Sequence, residues 1–287
     1  MAVGGTKVNP KRFHPNQLPI YAYILPFAAF MGAPILYIIN NAFKPLDELF
    51  AYPPKFFVSN PTMLNFTKLM NATNGTNIPL SRYLFNTLIV TVVVVVLTVF
   101  IGSLAAYALS KMQFRLSKFL YETNNMAMMF VGTAVTIPSY LVVSNIGIMD
   151  SYLAHILPLL AMPVGMFLVK QFIDQVPDEL VEAAQLEGAN AMVVYQRIIL
   201  PLVKPAIATM AMLSFQAVWG NVATSTLYVT DEGMQTLAYY LQTLPANTVQ
   251  GAGMSAASTL IMLVPNLILF IIMQSNVMNT MARSGLK

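Results

Sequence analysis

The chain of 287 residues has no cysteine, two histidines, one tryptophan and little charge, with Asp, Glu, Lys and Arg making up only 9% of it. Each scarcity excludes something. Without thiols there is no disulfide scaffold, no thiol nucleophile and no cysteine-based metal site, and His14 and His155 are too far apart in sequence to suggest a histidine-based one. No Gly-x-x-x-x-Gly-Lys-Ser/Thr phosphate loop occurs, so nothing in the chain marks an ATP site of that kind. The net charge of +4 is too diffuse to mark a nucleic-acid surface. Soluble domains carry about 25% charged residues. With 57% hydrophobic residues and a mean hydropathy of +0.65, this chain lacks the polar surface to cover a globule in water. The composition points to a bilayer.

The charged residues divide the chain into apolar windows. None occurs in 13–43, 83–110, 123–149, 151–169, 205–230 or 233–282, and each window holds a stretch near the roughly 20 residues needed to cross a membrane. Six spans are expected, near 20–40, 84–109, 120–143, 152–169, 207–227 and 255–277. The first is too long for the apolar core of a signal peptide and is followed by no small-residue cleavage site, so it reads as an anchor. The stretch 233–253 is rich in Gln, Thr, Asn and Gly and reads as a loop. If the N-terminus is inside, eleven Lys and Arg residues fall on cytoplasmic segments and four outside, all four in one long loop. That bias makes both termini cytoplasmic.

The segment 44–83 is the first of two long excursions from the membrane. Its prolines predict a turn-rich external lobe with a short helix near 62–70. Asn65-Phe-Thr, Asn71-Ala-Thr and Asn74-Gly-Thr match the glycosylation pattern, which is short enough to arise by chance in such a loop. The second excursion is 170–204. Pro177 suits a first helical position, and Asp178 and Glu179 complement the positive end of a helix dipole. Leu180, Ala183, Ala184 and Glu187 fall on one small, mostly apolar face, with Glu182 at its flank. Gly188 can end this helix or admit another backbone, and a second helix is expected to run from Asn190 to just before Pro201. Membrane-surface helices favour Lys and Arg with bulky apolar residues. This one, with acids, paired alanines and a glycine, suits a groove on a protein.

Glu182-Ala183-Ala184, Gly188 and Ile198-x-Leu200-Pro201 resemble, in spacing and identity, the EAA loop of ATP-binding-cassette importer permeases. The approach Gln171-Phe-Ile-Asp-Gln-Val-Pro-Asp-Glu-Leu resembles the carbohydrate branch, the maltose-type second subunit. Phe43-Lys-Pro, Asn86-Thr-Leu-Ile-Val, Ala105-Ala-Tyr-Ala-Leu-Ser-Lys, and Pro265 with Gln274 agree with it. The likeness runs from about residue 18 to the end. It departs where Trp219 is followed by Gly220-Asn221-Val, and in the tail Met281-Ala-Arg-Ser-Gly-Leu-Lys.

The resemblance implies an all-α polytopic protein of six transmembrane helices with the type I importer permease fold. A cytoplasmic segment 1–19 would precede a permease domain 20–287 that carries external loops 44–83 and 228–254 and the coupling loop 170–204. It further implies a second permease subunit, a cytoplasmic ATPase dimer holding ATP and Mg, an extracellular or periplasmic solute-binding protein and a bacterial or archaeal cytoplasmic membrane. The chain itself would bind no cofactor and catalyse nothing. Leu180, Glu182, Ala183, Ala184, Gly188, Ile198, Leu200 and Pro201 would couple to the ATPase.

Along the pathway, Asn124, Asn125, Gln216, Trp219 and Asn221 are candidates as the few polar or aromatic residues the spans tolerate, the Asn and Gln amides being costly in lipid and more often turned to the protein interior. Thr133, Thr136 and Ser139 can satisfy themselves on their own helix. His155 reads as a packed helix residue, and the 20 methionines as adaptable packing. The absence of ionised groups from the spans favours a neutral carbohydrate over glycerol phosphate or another polar solute. An autonomous secondary transporter would want a carboxylate at mid-membrane, and none is present. An intramembrane protease would rest on Ser139 and His155 alone, with no surrounding motif.

Overall fold

The computed structural model describes residues 18–72, 78–244 and 249–284, and the described residues are helical with no strand. In chain order the helices are α1 (Leu18–Phe43), α2 (Leu46–Leu49), α3 (Leu64–Asn71), α4 (Leu80–Lys111), α5 (Ser117–Ala127), α6 (Thr136–Ile146), α7 (Tyr152–Leu160), α8 (Pro163–Asp174), α9 (Asp178–Leu186), α10 (Ala191–Val194), α11 (Leu200–Leu202), α12 (Lys204–Trp219), α13 (Ala223–Tyr228), α14 (Leu237–Thr243) and α15 (Val249–Ser284). Most of segment 1–19 and the Asn74 sequon lie outside the described residues.

Three helices, α1, α4 and α15, are long and apolar enough to cross a membrane by themselves. The other expected spans are broken. The window 120–143 becomes α5 and a helical stretch from Gly132 to Ile146 bent by 110°, and α7 and α8 are bent by 43° at Ala161–Met162. Proline accounts for the second break: Pro163 opens α8 and pushes Met162 out of the helical region, to φ −125°. A third bend of 84° separates 191–202 from α12, which has Pro205 at its second position. The helix expected to stop before Pro201 instead runs through it, taking a π-helical form over Tyr195–Ile199. Pro201 cannot donate to the carbonyl four residues back, so that turn widens. Span five ends early, at Trp219, and the expected loop 233–253 contains α14.

The chain divides into two compact units, one of Met1–Leu69 with Pro245–Leu260, the other of Met70–Leu244 with Ile261–Lys287. In the first, the turn after α1 is held by polar side chains. The Glu48 carboxylate accepts from the Ser59 and Asn60 N–H groups, both at 2.9 Å. Lys44 Nζ donates to the Lys55 carbonyl at 2.5 Å, and the fully buried Asn65 amide donates to the Ala42 and Lys44 carbonyls. Asn65 therefore serves packing and cannot accept a glycan.

In the second unit α4, α8 and α12 form the centre. Their shared core is Ala106, Tyr107, Val169, Ile173, Ala206 and Met210, and Val181, Val194 and Ile199 from the 170–204 segment join it. Gly102 permits the closest approach, since a Cβ there would overlap the end of the Met210 side chain.

Candidate coupling site

The segment 170–204 is built from local caps. Pro177 stands one position earlier than expected, at the N-cap of α9, with Asp178 and Glu179 in the first turn. At the far end the Gly188 N–H donates to the Gln185 carbonyl at 2.9 Å and the Ala189 N–H to the Ala184 carbonyl at 2.9 Å. This double closure needs a left-handed residue, and Gly188 has φ +86°. Among the described residues, no atom beyond its immediate chain surroundings lies within 4 Å of where its Cβ would be, so the glycine serves to end the helix. Asn190 caps α10 as expected, its Oδ1 accepting from the Val193 N–H at 2.9 Å.

The faces of α9 differ from the expected stripe. Val181 is buried, and Ala184 packs with it against the shared core. Leu180, Glu182, Ala183 and Gly188 are exposed, and so is Leu186, at 90%, a residue outside the stripe expected from the sequence. Leu180, Ala183 and Leu186 follow one another at three-residue spacing, so they form an outward apolar row flanked by Glu182. The second helix supports it: Ile199 is buried, Ile198 and Leu200 are half-buried against the same core, and Pro201 is exposed.

What orients α9 is the C-terminal end of α4. Lys111, its side chain only 6% exposed, donates to the Val176 carbonyl at 2.6 Å and to Asp178 Oδ1 at 2.5 Å. Ser110 Oγ donates to Asp174 at 2.5 Å, and Lys170 pairs with the same carboxylate at 2.8 Å. On the inner side of the π-helical turn, Tyr195 Oη lies 2.6 Å from Ser103 Oγ, and its ring packs on Tyr107 at 5.6 Å.

The N-terminal end of α4 holds a second segment. Asn86 Nδ2 donates to the Gly233 and Gln235 carbonyls, both at 2.9 Å, while its Oδ1 accepts from Tyr152 at 2.7 Å. The Leu237 N–H donates to Thr87 Oγ1 at 2.8 Å, and Tyr83 stacks on Tyr240 at 4.3 Å. His155 is fully buried, as a packed residue, with Nδ1 2.8 Å from Thr224 Oγ1 and Nε2 3.1 Å from the Met234 carbonyl. A carbonyl only accepts, so Nε2 carries a proton. Asn86 and Ser110 are 24 residues apart, about 36 Å along the helix at 1.5 Å per residue. One continuous helix thus ties the 233–237 segment to the 170–204 segment.

The pathway candidates fall in two places. Asn124 and Asn125 are half-buried; Asn124 donates to the Pro163 carbonyl at 3.2 Å, and Asn125 Oδ1 is buried without a hydrogen-bond partner. Around the end of α12, Gln216 is exposed, but Trp219 is buried, stacked on Phe215 and donating from Nε1 to the Met262 carbonyl at 3.2 Å. Asn221 Oδ1 accepts from the Thr224 N–H at 2.9 Å, closing the start of α13. Within this chain Trp219 and Asn221 do structural work.

The segmented helical fold thus carries an exposed short helix and its glycine stop on the α4–α8–α12 core. Residues 98–277 match the family model described as binding-protein-dependent transport system inner membrane component, and the chain belongs to that family of ABC importer permease subunits. It is 26% identical over 284 residues to the probable ABC transporter permease protein YurM of Bacillus subtilis, covering 98% of this chain and 92% of that one. It is 29% identical over 222 residues to the polygalacturonan/rhamnogalacturonan transport system permease protein YtcP of the same organism, covering 74% and 72%. The fold matches a chain in the crystal structure of a bacterial ABC transporter involved in import of the acidic polysaccharide alginate. That match has a TM-score of 0.78 and 18% identity, and spans 93% of this chain and 99% of that one.

Proposed function

We propose that this subunit forms half of a carbohydrate pathway and receives its driving force through α9. The observation that carries this reading is the two-sidedness of α9: Val181 and Ala184 are locked into the α4–α8–α12 core, while Leu180, Ala183, Leu186 and Glu182 face outward. A rigid lever needs both faces, one fixed to the moving body and one free for the driver. The driver is a separate cytoplasmic ATPase dimer that holds ATP and Mg, since no Gly-x-x-x-x-Gly-Lys-Ser/Thr phosphate loop occurs in this sequence. Each bent pair contributes one span, which makes six with α1, α4 and α15, and the excess of Lys and Arg on the segments assigned to the inside supports cytoplasmic termini in a bacterial or archaeal cell. A second permease completes the pathway, and a binding protein delivers solute on the opposite face, where the Asn86 cluster holds the 233–237 segment.

Carbohydrate is the solute class because YtcP and the alginate importer carry saccharides in their descriptions. Both of those saccharides are acidic, whereas the windows 83–110, 123–149, 151–169 and 205–230 hold no Asp, Glu, Lys or Arg, so a neutral sugar suits this chain's own surface better. The test is uptake by the complete complex with its companion binding protein. Transport of neutral or uronic oligosaccharides supports the reading, and neutral ones alone support the narrower form. A binding protein that takes only amino acids, polyamines or glycerol phosphate overturns it. Glu182→Lys, on an exposed position, should lower uptake without loss of folding; normal uptake and normal ATPase retention in that variant would remove α9 from the coupling role.

A further inference from the structure

The turn after α1 carries Phe50, Tyr52, Phe56 and Phe57, all exposed, with Tyr52 at 97% and Phe57 at 69%. Four unburied rings within eight residues are unusual outside a membrane, and the polar framework beneath them is rigid. The Glu48, Lys44 and Asn65 hydrogen bonds fix the backbone on which they stand. The rings are therefore presented by a folded scaffold.

Their depth follows from the contacts with α1. The Val58 N–H donates to Asn40 Oδ1 at 3.1 Å, so the chain returns along the helix it has just left. Phe56 then packs on Tyr37 at 6.0 Å and Phe57 meets Phe56 edge-on at 5.0 Å. Tyr37 precedes the end of α1 at Phe43 by six residues, which is about 9 Å along the axis. The 26 residues of α1 span about 39 Å against a hydrocarbon core of about 30 Å. Centred in the bilayer, α1 places Tyr37 and Phe56 near the boundary between acyl chains and headgroups. That is where amphipathic rings are favoured. A soluble partner could reach Tyr52 from water, but it could not cover Phe56, whose neighbour belongs to the span itself. Lys55, exposed beside these rings, has the charge to meet lipid phosphates at the same level.

We propose that Phe50, Tyr52, Phe56 and Phe57 form an aromatic foot that rests in the headgroup–acyl boundary of the leaflet at the C-terminal end of α1. The ligand is the lipid surface. The foot holds the lobe at a fixed height on the bilayer, so that the helix and the turn that follows it behave as one body.

The natural absence of cysteine makes the test direct. Tyr52→Cys and Phe57→Cys, each carrying a nitroxide, are measured in the complete importer with partner thiols blocked, in phosphatidylethanolamine–phosphatidylglycerol vesicles. Both labels should favour oxygen over a nickel chelate as collision partner, at a depth of about 5–10 Å below the phosphates, and adding the binding protein should not change this. Chelate access equal to that of a label free in water overturns the proposal. So does protection that arises only when the binding protein docks, which would make the rings a protein-binding face. Phe57→Trp keeps a ring at the site and serves if labelling disturbs assembly. Its emission, after subtraction of the parent signal from Trp219, should be quenched by brominated lipid, and unquenched emission overturns the proposal equally.

Discussion

Lys111→Met tests how α9 is oriented. The lysine bridges the Val176 carbonyl at 2.6 Å and Asp178 at 2.5 Å, and its stem is packed while Asp178 is 75% exposed. The two bonds are unequal. An ion pair with so exposed a partner contributes about 0–1 kcal/mol. A charge-assisted bond to the carbonyl of a buried residue contributes about 1.5–3 kcal/mol, because removing the donor leaves that carbonyl unpaired. Methionine fills the same channel, so the apolar packing survives. Loss of about 2 kcal/mol between the oriented and released states of α9 is a population change of roughly 30-fold. In the reconstituted complex, stimulation of ATPase by the loaded binding protein should fall at least about tenfold on that scale, with subunit composition unchanged. Asp178→Asn removes only the exposed partner and should change stimulation less than about fivefold, the factor that 1 kcal/mol allows. Equal effects of the two substitutions, or full stimulation in Lys111→Met, would refute the assignment of Lys111 as the residue that sets α9.

Gly188→Ala should destabilise the end of α9 by about 1 kcal/mol, since the cost is the left-handed backbone and the space for a methyl is open; hydrogen exchange at Gly188 and Ala189 reads it, and unchanged protection would contradict the closure described. Asn86→Leu loses three hydrogen bonds and should release the 233–237 segment, costing about 2–4 kcal/mol by summing single-bond values. Limited proteolysis there should quicken, while insertion of α4 stays normal. Glu48 is held below the ordinary carboxylate pKa by the Ser59 N–H foremost, with the Asn60 N–H assisting against the opposing effect of burial. Its contribution is then complete above the ordinary value of about 4.3 and is lost as pH falls through the lower, folded value. Cleavage of the 50–60 turn should be flat from pH 8 to about 5 and rise below about 4; in Glu48→Gln it should start higher and lose that dependence, and a parental pH curve in the variant would exclude Glu48 as the clamp.

The parts of this structure that were legible in the sequence are those decided within a few residues. Asn190 caps the next helix through Val193, three positions away, and Gly188 stops α9 through Gln185 and Ala184. Charge-free windows located the three long apolar helices α1, α4 and α15, because the cost of a charge in lipid is also local. The breaks inside those windows were harder to read. Pro163 and Pro205 are visible, but apolarity alone does not say whether a span bends at a proline or continues. The long-range bonds left little trace. Asn86 meets Gly233 across 147 residues, and neither its polarity in an apolar run nor the Asn86-Thr-Leu-Ile-Val resemblance names that partner. Lys111 is one of the eleven inside charges by sequence, and nothing near it in the chain signals that its ammonium closes the turn before α9. The polar composition of 233–253 concealed α14, whose place depends on Tyr83 beneath Tyr240. Trp219 and Asn221 were selected for polarity in a span, and the structure spends that polarity on the Met262 carbonyl and the start of α13.

In the proposed function the outward row of α9 is the surface that meets the ATPase. Photocrosslinking decides it most directly: Ala183→Cys and Leu186→Cys, each carrying a short benzophenone, with Gln196→Cys on the neighbouring helix as reference, irradiated in the assembled complex. Positions 183 and 186 should crosslink to the ATPase, with yields that change when ATP closes the dimer, and position 196 should give a weaker, nucleotide-independent yield. Crosslinks from 183 and 186 to lipid or to the second permease alone, with none to the ATPase, would contradict it.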